Sequence, residues 1–168
     1  MKKIGLFYSF NTKKTTQTAK RIVEQFGEEN IAAVNAEEIT EDQFLAYDNM
    51  IIGSPTWFDG ELPNYWDEFV PALEELDLKG KNIAIYGAGD QKGYSENFVD
   101  AIGIMAELVE KQGAKLVGFT STEGYAFESS RALRGDKFCG LALDFENQSS
   151  KNKQRVADWC NQLKKEFS

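Results

Sequence analysis

Short apolar runs, separated by segments of helical periodicity, recur along the whole chain. Five of them read as strands: KKIGLFY (2–8), IAAVNA (31–36), NMIIGS (49–54), NIAIYGA (82–88) and KLVGFT (115–120). Between and after them, apolar residues return every three or four positions. The sets are Ala19, Ile22, Val23 and Phe26; Trp66, Phe69, Val70 and Leu73; Phe98, Ala101, Ile102, Met105 and Val109; and Val156, Trp159, Cys160 and Leu163. That spacing puts each set on one face of a helix. Strand alternating with helix predicts a parallel sheet covered on both sides, because parallel neighbours need right-handed crossovers. The stretch TSTEGYAFESSRALRGDKF (120–138) breaks the rhythm ahead of a further apolar run, CGLAL, so the fifth strand is expected to be split by an insertion. No repeat, low-complexity tract or linker intervenes, and 168 residues with an apolar fraction of 42% fit one doubly wound α/β domain spanning 1–168.

Composition narrows the chemistry. A formal net charge of -8 argues against nucleic-acid binding, which needs clustered Lys and Arg, and favours basic partners. No apolar run approaches the roughly 20 residues that cross a bilayer, and MKKIGLFYSF turns polar too soon for a signal peptide. A cytoplasmic monomer with no membrane contact is expected. Cys139 and Cys160 lie among apolar neighbours and read as reduced core thiols. The chain has no histidine, which leaves triad hydrolysis and metal ligation poorly supplied and points to a bound cofactor as the carrier of any chemistry.

In open α/β sheets, ligands bind beyond the carboxyl ends of the strands, at the point where strand order reverses. That rule selects three loops. SFNTKKT follows the first strand and offers the hydroxyls of Ser9, Thr12 and Thr15, the Asn11 amide, Lys13 and Lys14, and free backbone donors at a helix start. It suits a terminal phosphate, although Thr12 and its neighbours serve equally well as an ordinary N-cap. The glycines of a nucleotide-binding loop or a dinucleotide fingerprint are missing. SPTWFDGEL places Trp57 at a strand end, as one wall of a slot or as a lid on the core. GAGDQKGYSEN adds Tyr94, the glycines 87, 89 and 93 for close backbone approach, and Asp90 to accept from a ring imide. Two aromatics with an imide acceptor at one end and a phosphate site at the other describe flavin mononucleotide (FMN).

At these residues the chain resembles the long-chain flavodoxins. SPTWFDGEL looks like the family's tryptophan loop, GAGDQKGYSENFVDAIG like its tyrosine loop, and TSTEGYAFESS with KFCGLALD and ENQ like the insertion dividing the fifth strand. The resemblance spans essentially the whole chain and implies a five-stranded sheet of order 2-1-3-4-5. It assigns the phosphate to Ser9, Phe10, Asn11, Thr12, Lys13, Lys14 and Thr15. Ser54, Pro55 and Thr56 fall to the ribityl chain. The ring falls to Trp57 and Tyr94, flanked by Phe58, Asp59, Gly60 and Asn97, and its pyrimidine edge to Asp90 with Gly87, Ala88 and Gly89. The phosphate loop departs from the family pattern: Ser9 stands for a glycine, Phe10 for a hydroxyl residue and Lys13 for a second glycine. Phe10 removes one donor, and Lys13 or Lys14 is expected to compensate by pairing with the phosphate.

The resemblance implies a low-potential one-electron carrier, shuttling between flavin semiquinone and hydroquinone, with a backbone carbonyl in Phe58–Gly60 turning toward the ring on reduction. Carboxylates at Asp59, Glu61, Asp90, Glu96, Asp144 and Glu146 are expected to ring the exposed flavin edge and steer basic-faced reductases and oxidoreductases. Three alternatives stand beside this carrier. An FMN-dependent NAD(P)H or quinone oxidoreductase on the same scaffold would need a substrate site for which no added segment is seen. A receiver domain lacks its acidic pair and phosphorylatable aspartate here, since those places hold YSFNT and GSPTW. A flavin-free binding module is the reading that Phe10 and Lys13 would favour.

Overall fold

The computed structural model describes residues 1–168, and each of the five apolar runs contains a strand. These are β1 (Ile4–Tyr8), β2 (Ile31–Asn35), β3 (Asn49–Gly53), β4 (Asn82–Ala88) and β5 (Lys115–Leu116). All pair in parallel, in the order β2-β1-β3-β4-β5. The fifth position is divided as expected. β5 pairs with the start of β4 (Asn82 and Ile83), and β9 (Leu141–Leu143) pairs with its end (Tyr86 to Ala88). The intervening chain forms a small antiparallel sheet of β6 (Thr120–Ser121), β8 (Lys137–Phe138) and β7 (Leu133–Arg134).

Side-chain alternation along the strands builds two cores. Ile4, Leu6 and Tyr8 of β1, with Ile51, Ala84 and Tyr86, face α1 (Lys13–Phe26) and α5 (Ser149–Glu166). Phe7, Met50, Ile52, Ile83 and Ile85 face the opposite way, toward α3 (Asn64–Leu73) and α4 (Asp100–Lys111). This period of two is what a sheet buried on both sides requires. The helical stripes supply the matching faces: Trp66 and Trp159 are both 1% exposed, and their indole N–H groups donate to the carbonyls of Gly53 and Gly118. Burial without an unpaired polar atom is the condition for a stable aromatic core.

One helix had no counterpart in the apolar periodicity. α2 (Glu41–Leu45) is short and buries only Phe44, but it opens with a full capping box between Thr40 and Gln43. The insertion is anchored where Gly103 of α4 meets the Arg131 carbonyl so closely that a Cβ would stand 2.1 Å from that oxygen. Both cysteines are free and buried, and burial pushes their thiols up, to about 11 for Cys139 and about 12 for Cys160. They are inert packing groups.

Candidate functional site

The carboxyl ends of β1, β3 and β4 open into one cleft with two lobes. The larger, of about 450 Å³, runs from Thr12–Thr15 past Pro55 and Thr56 to Ala88, Gly89 and Asp90. The smaller, of about 260 Å³, lies among Trp57, Phe58, Tyr94 and Asn97, and shares Thr56, Gly89, Asp90 and Tyr94 with the first.

At the first end, the start of α1 is open. Thr12 occupies the N-cap position with φ -97 and ψ 142, yet its side chain does not cap. Its hydroxyl instead donates to the Ser9 carbonyl at 2.6 Å. The backbone N–H groups of Lys13, Lys14 and Thr15 therefore find no acceptor in the protein, in line with the unsatisfied first turn of any helix. Lys13 begins the helix with ordinary negative φ, so lysine in place of glycine costs no backbone strain. The two lysines differ in their partners. Lys14 pairs with Glu146 across the cleft, and Lys13 has no ion-pair partner.

Ser9, Phe10 and Asn11 do not line the cleft. Ser9 Oγ and Asn11 Nδ2 both donate to Glu37, the Phe10 N–H donates to Asn35 Oδ1, and the exposed Phe10 ring leans on Tyr8.

In the second loop, Thr56 Oγ1 accepts the Ala101 N–H at the start of α4, and the residue lines both lobes. Trp57 combines the two roles open to it. Its ring meets Tyr65 edge-on with centroids 6.0 Å apart, and the residue also lines the smaller lobe. Two backbone bonds of 2.8 Å between Trp57 and Glu61 clip the loop shut, leaving Phe58, Asp59 and Gly60 as its tip. Phe58 takes φ 50 while 70% exposed, and Gly60 takes φ 95. A left-handed conformation costs a phenylalanine roughly 1–2 kcal/mol that glycine does not pay. Ser54 is buried beneath the loop, while Asp59 and Gly60 lie outside both lobes.

In the third loop, Asp90 Oδ1 accepts from the Lys92 and Gly93 N–H groups and from Asn147 Nδ2, and these bonds hold its carboxyl below the usual range. Its Oδ2 has no partner. Tyr94 borders both lobes and is 55% exposed, and Asn97 donates to Asp100. Gly87 stays away from the cleft. A Cβ there would stand 2.3 Å from the Ser54 carbonyl, so its bare Cα serves the packing of β4 against β3.

One rim carboxylate needs correction. Asp144 is 0% exposed and sits under the third loop, not around its edge. It accepts from Gln91 N and Nε2, Glu146 N, and Asn147 N and Nδ2. Burial alone would raise its carboxyl, but the bonds from Asn147 and Gln91 outweigh that and lower it. Phe145 and Glu146, which follow it, line the larger lobe; the sequence places Glu146 at the flavin rim and gives Phe145 no part in the site.

Comparison with known proteins agrees with this geometry. The family model described as Flavodoxin matches residues 6–159. Flavodoxin from Nostoc sp. is 45% identical over 166 residues, covering 99% of this chain and 98% of that one. Flavodoxin from Klebsiella pneumoniae is 40% identical, covering 98% of each. Among solved structures, Fusobacterium nucleatum flavodoxin bound to FMN superimposes with a TM-score of 0.95 at 36% identity over 100% of both chains. Its K13G variant bound to FMN gives the same score at 35% identity, over 100% of this chain and 98% of that one. With the matched model spanning most of its length and relatives 40–45% identical over nearly the whole chain, the chain belongs to the flavodoxin family.

Proposed function

We propose that residues 1–168 form one FMN-binding domain carrying single electrons, with the phosphate at the start of α1 and the ring in the lobe bordered by Trp57 and Tyr94. The observation that carries this reading is the open helix end. Three unpaired N–H groups and the positive end of a helix dipole face a cleft whose far lobe is aromatic. A dianionic tail on a flat ring satisfies both ends. Lys13 adds an unpaired cation at the tail, the Thr56 hydroxyl a donor along the middle, and the free Asp90 Oδ2 an acceptor for a ring N–H.

Bound FMN supplies the one-electron chemistry, and the chain determines how readily it accepts negative charge. A ring held between Trp57 and Tyr94 would lose water from both faces, and the Asp90 and Glu146 carboxylates together with the net charge of -8 oppose added electrons, which favours a low potential. A flavodoxin turns over no substrate of its own; it passes electrons to and from reductases and oxidoreductases. Partners with basic faces fit this acidic surface, and the association rate with such a partner should fall steeply as salt rises. A rate that does not change with salt would rule out steering.

Titration of the apoprotein with FMN and with riboflavin tests the anchor. Each charge-assisted bond to the phosphate is worth roughly 1.5–3 kcal/mol, so FMN should bind at least about 100-fold more tightly. Equal affinities would remove the phosphate from this site. Lys13→Ala should narrow the ratio by about 3- to 10-fold in low salt and by less in high salt; an unchanged ratio would make Lys13 a solvated bystander.

A further inference from the structure

The Ser9–Asn11 turn immediately precedes the open end of α1, and its side chains point away from the cleft. Ser9 Oγ and Asn11 Nδ2 both donate to one oxygen of Glu37, Oε2, each at 2.6 Å. Asn35, two residues before Glu37, accepts both the Phe10 N–H and the Glu37 N–H on its Oδ1, each at 3.2 Å. The turn is therefore hooked at three points to the segment leaving β2, in line with the parallel register that sets Tyr8 against Asn35. The Ser9 carbonyl, in turn, receives the Thr12 N–H at 3.3 Å and the Thr12 hydroxyl at 2.6 Å. This last bond holds the Thr12 side chain off the helix end. The chain of contacts thus runs from Glu37 through Ser9 to Thr12, and it ends at three uncovered N–H groups.

We propose that Glu37 is a positioning residue for the phosphate end of the FMN site: it clamps the Ser9–Asn11 turn so that Thr12 leaves the first turn of α1 free for the anion. The inference rests on the FMN reading above. It gives a carboxylate a constructive part at an anion site, where its charge alone would count against binding. Protonation is kept away from the clamp, because the bonds from Ser9 and Asn11 lower the Glu37 carboxyl below its ordinary value. Glu37 touches no part of the cleft itself, so its influence passes through Ser9 and Thr12.

The test compares Glu37→Ala and Glu37→Gln with the parent apoprotein, each titrated with FMN and with riboflavin. A clamp predicts that Glu37→Ala weakens FMN about tenfold while riboflavin changes less than about twofold, since only FMN uses the helix end. Glu37→Gln keeps one carbonyl oxygen with two lone pairs, enough to accept from both Ser9 and Asn11, and removes the charge, so it should bind FMN at least as well as the parent. An effect on stability alone would lower the melting temperature of Glu37→Ala without moving the FMN-to-riboflavin ratio, and that result overturns the clamp. So does an equal rise in FMN affinity in both variants, which would leave Glu37 as a repulsive charge only. If the parent binds neither FMN nor inorganic phosphate, the flavin reading falls and the clamp falls with it.

Discussion

Asp144→Ala is expected to lower the free energy of unfolding by about 3–5 kcal/mol, because each buried donor left without its acceptor costs roughly 1–3 kcal/mol and several lose theirs together. The side chain is wholly buried and takes five hydrogen bonds from Gln91, Glu146 and Asn147, so the variant strands several donors at once. Urea unfolding would show the loss as a lower midpoint with an unchanged slope. A change below about 1 kcal/mol would mean that water or rearranged loops replace the carboxylate, and that its bonds to Gln91, Glu146 and Asn147 do not hold the third loop in place. The pH dependence has a definite sign. The folded carboxyl lies below its ordinary value, so its contribution is complete above the unfolded value near pH 4 and is lost as pH falls through the lower, folded value. Acid destabilisation in that window should be shallower in Asp144→Ala than in the parent.

The second large effect belongs to the aromatic lobe. Trp57→Ala should weaken FMN by about 30-fold or more, since truncating a tryptophan at the centre of a contact commonly costs at least about 2 kcal/mol. Riboflavin should lose the same factor, because the ring and not the phosphate is affected. The loop itself should persist, since the clip to Glu61 is made by the backbone of Trp57. An FMN affinity within twofold of the parent would return Trp57 to the role of a lid over Tyr65.

The periodicities that determine the sheet were local and therefore legible. Alternating Ile4, Leu6 and Tyr8, and the helical stripes of α1, α3, α4 and α5, each carry their own face assignment. The aromatic residues at the ends of β3 and β4 were equally visible, because Trp57 and Tyr94 follow strands whose direction the pattern had already given. Asp144 was misplaced because a single carboxylate in ALDFENQ carries no local mark of burial; two of its five bonds come from Gln91, 53 positions away on the third loop. Glu37 went unremarked for the same reason. AEE reads as solvated charge, and its value lies in the side chains of Ser9 and Asn11 on the neighbouring connection. The capping box at Thr40 is a different case, since T-x-x-Q is a local signal and was legible in principle.

The two ends of the chain meet at the amino edge of the sheet. The Lys2 N–H donates to the Ser168 carbonyl at 2.9 Å, and Asn49 at the head of β3 bonds to both residues. Five residues of strand, roughly 16 Å, separate this seam from the mouth of the cleft. Cargo joined through Lys2 or Ser168, or a short tether to an electrode, would hang from the pole opposite the cleft and leave its mouth clear.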